Sequence, residues 1–587
     1  MELKILNKVN SPKDLKSLNR DELKVLADEV RNIIIDKVSK VGGHFGPNLG
    51  MVEATIALHY VFNSPIDKMV WDVSHQSYPH KILTGRKNAF INPDEYNSIT
   101  GYTSQDESEH DFFKIGHTST SVSLACGLAK ARDTKGAKEN IIAIIGDGSL
   151  SGGEAYEGLN NASASGKNII IVVNDNDMSI SENYGGLYKN LALLRETNGK
   201  AEDNFFKSLG FEYHFVKEGN NVDALIETFA KVKDIDHPVV VHIHTIKGNG
   251  YKKAEENKES FHYVAPFNVE TGESLVKPSG NETYASILGN LLCEKAKDDK
   301  SIVAISAATA PFVGLGAFRN KFKDQFIDVG IAEEHAIALA SGIASQGAKP
   351  VVGIASTFIQ RTYDQLSQDL AMNNNPALVM VHNAGIGDNR DVTHLGIFDI
   401  PLISNIPNIV YVAPTSKEEY IAMVEWGLEQ DKHPVAIRVP AHAVISTNKA
   451  VKADFKLNTY EKVIDGSEVA IIGLGAFFSL GEKVQEKLKE ATGINATLIN
   501  PRFISGIDKD MLTELLDNHK LVITLEDGIL DGGFGEKISR FYGDKNMKTL
   551  NFGATKEFTD RVPMAELNER YHLTEDLIIE DIKKALK

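Results

Sequence analysis

The stretch GDGSLSGGEAYEGLNNASASGKNIIIVVNDN, residues 146–176, decides the fold. An apolar run, IIAII, feeds into Gly146-Asp147-Gly148, and a second, NIIIVV, feeds into Asn174-Asp175-Asn176. Between them, small and apolar residues recur at helical spacing from about Gly153 to Ser165. This reads as strand, helix, parallel strand. A right-handed crossover puts both strand ends on one sheet edge, so Asp147 and the Asn174–Asn176 cluster meet in space. The glycines let backbone approach a ligand closely. One carboxylate, one amide oxygen and a nearby backbone carbonyl form an incomplete shell of hard oxygens. Such a shell suits Mg²⁺, which completes its octahedron with ligand phosphates. A helix N-terminus just after Gly148 favours anionic oxygens. Gly-Asp-Gly alone would read as an ordinary strand-to-helix turn; the matched Asn-Asp-Asn one βαβ unit later points instead to a cradle for a metal and a diphosphate.

The rest of the chain is compatible with that site. Its 587 residues, 42% hydrophobic and 24% charged, describe a globular protein of several domains. A net charge of −17 argues against nucleic acid and against anionic membrane surfaces. It leaves room for a phosphorylated small molecule, which needs only a local basic pocket. The two cysteines, Cys126 and Cys293, form no disulfide framework and read as inert buried thiols. MELKILNKVNSPKDL has no signal-type apolar core, and no run approaches a membrane span, so a cytoplasmic setting is expected.

Short apolar, β-branched runs alternate with helical patterns throughout: 141–146, 168–175, 238–245, 301–306, 350–356, 377–385, 408–414, 468–475, 496–500 and 521–527. Continuous runs of this kind suit strands covered on both faces. The expected fold is therefore α/β, with three doubly wound, mostly parallel-sheet domains over residues 1–265, 278–443 and 455–587, joined by turn-rich linkers. Ligands are expected at the carboxyl edges of the sheets.

Longer words narrow the reading. GHFGPNLGMVEATIALHYVFNSP (43–65), WDVSHQSYPHKILTGR (71–86), IGHTSTS (115–121), NDNDMSISEN (174–183), DVGIAEEHAIALASGIA (328–344) and STFIQRTYDQ (356–365) occur in order along the chain. With the GDG…NDN pair, which resembles the thiamine diphosphate motif, they are similar to the 1-deoxy-D-xylulose-5-phosphate synthase family, relatives of transketolase. The resemblance implies an enzyme of isoprenoid and thiamine precursor biosynthesis. It would use thiamine diphosphate and Mg²⁺, decarboxylate pyruvate, and join the two-carbon unit to glyceraldehyde 3-phosphate. It implies a homodimer, Asp147, Asn176 and the Met178 carbonyl as metal ligands, and cofactor contacts from His75, Gly116, His117, Thr118, Gly148, Ser149, Lys247 and Tyr251. Glu333 would be the acid that hydrogen-bonds the aminopyrimidine and favours its imino tautomer, and Phe358 would stack on that ring. Burial keeps such an acid protonated. His44, His75, His117 and His394 become candidates for proton transfer to substrate oxygens, whereas His59, His80 and His110 read as structural or surface residues. The resemblance also implies Arg361, in IQRTYDQ, as a retained arginine of the substrate site.

The sequence departs from the family at several points. Where an arginine is expected in a D-R-A-G word, HNAG supplies Asn383; Arg390 stands at an acidic position before T-H, with Asp391 next to it; and VPAHA puts Ala441 at another arginine position. Arginine forks are the natural holders of a phosphate monoester. Arg390 or His442 could compensate for their loss. The segment 198–207 is much shorter than usual, and KEGNNV replaces a glycine-aspartate-glycine-histidine word. A transketolase-like carboligase with another donor or acceptor is the alternative function, and a catalytically dead cofactor-binding scaffold the third. The Gly-rich words at 468–481 and 531–537 lack dinucleotide and P-loop spacing and read as plain turns into helices.

Overall fold

A computed structural model describes residues 3–179, 183–277 and 280–587. The chain forms two compact units: Met1–Ser279 with Gly330–Ala332, and Gly280–Val329 with Glu333–Lys587. Among the described residues, no helix is long and apolar enough to cross a membrane.

The first unit is built on a five-stranded sheet of β1 (Lys68–Trp71), β2 (Ile141–Gly146), β3 (Ile169–Asp175), β4 (Glu212–Val216) and β5 (Pro238–His244). The strand order is β1-β2-β3-β5-β4 and every pairing is parallel. Alternate residues feed two cores. Ile142, Ile144, Ile170 and Val172 point to one face, and Ile141, Ala143, Ile145 and Ile171 to the other. That is why the central runs are apolar without interruption. Helices α1 (Ser121–Thr134) and α2 (Gly153–Ser163) pack closely on the second face. A Cβ on Gly158 would already lie 3.1 Å from the Val122 side chain. Helix α2 starts at Gly153, as its spacing predicts, but the helix N-terminus expected directly after Gly148 is corrected: residues Gly148–Ser151 form one 3-10 turn before it.

The second unit carries two sheets. One comprises β6 (Ile302–Ser306), β7 (Phe326–Asp328), β8 (Lys349–Ala355), β9 (Leu378–Ala384), β10 (Val410–Val412) and β11 (Val435–Pro440), ordered β10-β11-β9-β8-β6-β7 and wholly parallel. The other comprises β12 (Glu461–Ile464), β13 (Glu468–Gly473), β14 (Thr497–Asn500), β15 (His519–Ile529) and β16 (Lys548–Ala554), ordered β12-β14-β13-β15-β16. Only the β12–β14 pair in it is antiparallel. The three mainly parallel sheets expected from the sequence are all present. Residue 278, the expected start of the second domain, lies outside the described residues.

A fully buried charge network ties the two sheets of this unit together. The Arg438 guanidinium at the end of β11 donates to Asp399 Oδ2 at 2.7 Å and also pairs with Asp527 on β15. The Gly-rich words are structural, as expected. Residues 468–481 form β13, a 3-10 turn and the start of the helix Phe478–Thr492. Residues 531–537 open helix α4 (Phe534–Tyr542), whose N-terminal amides are occupied internally: Glu526 accepts from Phe534 N at 2.9 Å and Gly535 N at 2.7 Å.

Candidate active site

β2 and β3 run in register, with Gly146 opposite Asn174, so their carboxyl ends are neighbours. Asp147 is buried there. Its Oδ1 accepts from Gly148 N at 3.0 Å, and its Oδ2 from Met178 N at 3.1 Å and Asn183 Nδ2 at 2.9 Å. Burial, and then the nearby Asp175 carboxylate, push the Asp147 carboxyl up to about 7. A bound cation would reverse this preference. Asn176 Oδ1, Ser179 Oγ and Asn183 Oδ1 are buried oxygens without a hydrogen-bond partner, an arrangement that invites a cation or donor. Asp175, the middle residue of the Asn-Asp-Asn word, is already engaged: Arg195 donates to both its oxygens at 2.8 and 2.7 Å, and His242 pairs with it at 2.9 Å. Burial alone would raise its carboxyl, but these two partners hold it down to about 2. Gly148 has no room for a side chain, since a Cβ would lie 2.9 Å from Ser179 Cβ.

The second loop of this site, IGHTSTS, is fixed by a residue that the sequence reading missed. Buried Asp72, at the end of β1, accepts from Ser119 N at 2.8 Å and Ser121 N at 3.0 Å. Ser119 sits at φ 74° and donates through Oγ to the Ser149 carbonyl at 2.8 Å. The loop carrying Gly116, His117 and Thr118 is thereby tied to the turn carrying Gly148 and Ser149. The missed signal was the acid in WDVSHQ, directly after an apolar strand.

The histidines gather in a third layer. His44 and His75 rings lie 5.0 Å apart, and His262 lies 5.8 Å from the first and 5.2 Å from the second. His262 was not singled out in the sequence; its Nδ1 is buried without a partner, and desolvation, then Lys247, keeps it well below the ordinary histidine range. Asn48 donates through Nδ2 to the His44 and His75 carbonyls at 2.9 and 2.8 Å, fixing both segments. Lys247 is buried and donates to the Ser179 carbonyl at 2.6 Å. Burial brings its ammonium down to about 8, with Asp147 opposing. The departing word KEGNNV supports this loop: Asn220 Oδ1 accepts from Ile246 N at 2.8 Å. Tyr251 stands apart from the oxygen cluster. Its hydroxyl donates to the Val269 carbonyl at 2.8 Å, and its ring packs with Phe45, Phe261 and Phe267. His59, His80 and Asp111 form a buried relay, with contacts of 2.9 and 2.8 Å, that pins the 107–111 segment and is structural.

In the second unit, Glu333 begins helix α3 (Glu333–Ala344) and is buried. Its Oε2 has no hydrogen-bond partner and lies 3.7 Å from Arg361 Nη1. Burial raises this carboxyl to about 7 against the pull of Arg361. The Phe358 ring meets His394 edge-on at 5.7 Å. Thr393 Oγ1 donates to Asp391 Oδ1 at 2.7 Å and pairs with His394 Nδ1 at 2.8 Å. Since the hydroxyl proton is committed to Asp391, Nδ1 carries the imidazole proton, leaving Nε2 as an acceptor. Burial, then Arg390, lower His394 to about 4. Arg390 Nη2 donates to Asn383 Oδ1 at 2.6 Å. His442, beside Ala441, lies 3.4 Å from Asp527 Oδ2. Among the described residues no group of three His, Cys, Asp or Glu is placed to hold a metal ion, so a cation would rely on a mixed oxygen set such as that around Asp147.

A family model described as 1-deoxy-D-xylulose-5-phosphate synthase matches residues 6–202 and 197–245. Models of the transketolase pyrimidine binding domain and the transketolase C-terminal domain match 282–445 and 459–578. Proteins named 1-deoxy-D-xylulose-5-phosphate synthase from Caldanaerobacter subterraneus subsp. tengcongensis and Halothermothrix orenii are 39% and 40% identical, over 99% of this chain in both cases and 99% and 97% of theirs. The chain belongs to the 1-deoxy-D-xylulose-5-phosphate synthase family. A solved transketolase from Campylobacter jejuni is 17% identical, with a TM-score of 0.45, over 97% of this chain and 100% of that one.

Members of the 1-deoxy-D-xylulose-5-phosphate synthase family are transketolase-type transferases that use thiamine diphosphate with a divalent cation such as Mg²⁺. Each unit holds residues that fit that group: in the first, unpartnered oxygens around Asp147 and a glycine with no room for a Cβ; in the second, an unpartnered Glu333 oxygen. The two pieces of the 1-deoxy-D-xylulose-5-phosphate synthase match join at 197–202, inside the shortened segment. That segment is held by Asn190 of the preceding helix Gly186–Glu196, which accepts from Phe205 N at 3.0 Å and donates to the Asp203 carbonyl at 3.0 Å.

Proposed function

We propose that this protein decarboxylates pyruvate and transfers the two-carbon unit to glyceraldehyde 3-phosphate, a step feeding isoprenoid and thiamine precursors. When bound, thiamine diphosphate supplies the electron sink that lets a 2-oxo acid lose carbon dioxide. Asp147, Asn176 and the Met178 carbonyl would hold Mg²⁺. Gly116, His117, Thr118, Gly148, Ser149, His75 and Lys247 would hold the diphosphate. Glu333 would hold a proton against the aminopyrimidine, with Phe358 on the ring face. His44 and His394 would exchange protons with substrate oxygens, joined by His262, and Arg361 would steady Glu333 and attract the substrate's anionic group. Tyr251 serves this arrangement through the packing of the 247–251 loop.

The observation that carries the reading is the buried Glu333 oxygen, held near neutral range with no donor of its own. Such an acid has a use only when a ligand meets it. Carbon dioxide release from pyruvate, dependent on thiamine diphosphate and Mg²⁺ and rising with glyceraldehyde 3-phosphate, tests it. Asn383 and Ala441 favour a second reading, a carboligase with another acceptor or donor; turnover with ketose phosphates alone would support it. We also propose three domains, 1–265, 278–443 and 455–587, each containing one large sheet, and a cytoplasmic homodimer, to be tested by limited proteolysis, cell fractionation and light scattering.

A further inference from the structure

Arg390 is a half-buried guanidinium whose charge no carboxylate among the described residues answers. The acids around it are committed elsewhere. Asp391 Oδ1 accepts from Thr393 N at 3.0 Å and from its hydroxyl. Asp388 accepts from Met564 N at 2.7 Å and Asn389 Nδ2 at 2.9 Å, and Asp560 accepts from Val392 N at 3.3 Å. Among the described residues none of them pairs with Arg390; its side chain instead donates to the neutral amide oxygen of Asn383. Burial is accordingly what lowers its pKa.

The side chain is nevertheless held in place. Its backbone carbonyl accepts from Arg561 N at 2.7 Å, and Asn389 N donates to the Val562 carbonyl at 3.1 Å. A Cβ on Gly387 would collide with Arg390 Nε, so that glycine clears the path of the guanidinium. Its charge is felt by His394, and Asn383 lines a cavity of about 310 Å³ with His382, Phe312, Ala441 and His442. An arginine fixed in this way, desolvated and unanswered, is complete only when an oxyanion arrives.

Resting on the functional reading above, we propose that Arg390 is the specificity-determining ligand for the phosphate of the acceptor aldehyde, with Asn383 orienting its fork. The guanidinium thus reaches the site from the loop after β9, seven residues beyond the strand position where the resemblance leads one to expect an arginine.

The test uses the holoprotein with pyruvate. The ratio of kcat/KM for glyceraldehyde 3-phosphate to that for unphosphorylated glyceraldehyde is measured in wild type, Arg390→Ala and Arg390→Lys. The expected result is a fall in that ratio of about 30-fold or more in Arg390→Ala and a smaller fall in Arg390→Lys, which keeps the charge and loses the fork. Calorimetry with glycerol 3-phosphate should show binding to wild type and at least about tenfold weaker binding to Arg390→Ala. An unchanged ratio, or a rise in KM for pyruvate alone, overturns the assignment; the latter would place a donor carboxylate there. If wild type releases no carbon dioxide with either acceptor, the functional reading fails, and the calorimetric arm still decides Arg390. Equal glycerol 3-phosphate binding by folded wild type and folded Arg390→Lys and Arg390→Ala refutes it.

Discussion

Glu333 Oε2 lies 3.7 Å from Arg361 Nη1, near enough to feel its charge and too far to accept a hydrogen bond from it. Burial outweighs that pull and raises the carboxyl from 4.5 to about 7. A group whose folded pKa is raised contributes stability that is complete below its unfolded value and is lost as pH climbs through the folded one. Between pH 4.5 and 7, Glu333 should thus cost the cofactor-free protein about 2–3 kcal/mol. Glu333→Gln should flatten the pH dependence over that window and raise the urea midpoint at pH 8, while reducing turnover by about 100-fold or more. Equal wild-type and variant midpoints at pH 8 would remove the basis for the raised value.

Asp147→Ala should lower affinity for thiamine diphosphate in the presence of Mg²⁺ by about 100-fold, read by calorimetry, because a neutral side chain offers the cation no charge. Affinity within about twofold of wild type would place the cation elsewhere.

Asp72 acts at a distance from any ligand. Asp72→Ala leaves the Ser119 and Ser121 amides buried without an acceptor, at a cost of about 2–4 kcal/mol. The loop carrying Gly116–Thr118 should then lose hydrogen-exchange protection ahead of β2 and β3. Uniform loss across the unit would mean that Asp72 stabilises the sheet and not this loop.

Removing Arg438 strands two buried carboxylates. Arg438→Met should destabilise the second unit by about 3–5 kcal/mol, and adding Asp527→Asn to it should recover part of that loss. Additive destabilisation in the double variant would show that the two side chains do not act as a pair.

How much of this was legible in the sequence follows from burial. Most central strands show as largely apolar runs, but Val435–Pro440, paired on both sides, was not among the runs singled out, because Arg438 interrupts it. The other strands of these sheets that escaped notice, Lys68–Trp71, Glu212–Val216, Phe326–Asp328, Glu461–Ile464 and Lys548–Ala554, lie at sheet edges, where charged and polar residues are tolerated. The site words were legible because glycines and oxygen donors cluster at strand ends. Asp72, Asn48 and His262 were not, since each works through backbone groups or rings brought near by tertiary packing. Tyr251 shows the converse: a residue in a telling word whose hydroxyl is spent on Val269.

The ladder between β2 and β3, paired from Ile142 with Ile170 to Gly146 with Asn174, has a kinetic consequence. Oxygen donors mounted on two such strands shift as one rigid plate, so their spacing does not depend on what they hold. Stripping the metal with a chelator should therefore leave the sheet intact, and reloading should proceed at a rate linear in cofactor concentration, with no slow reassembly phase.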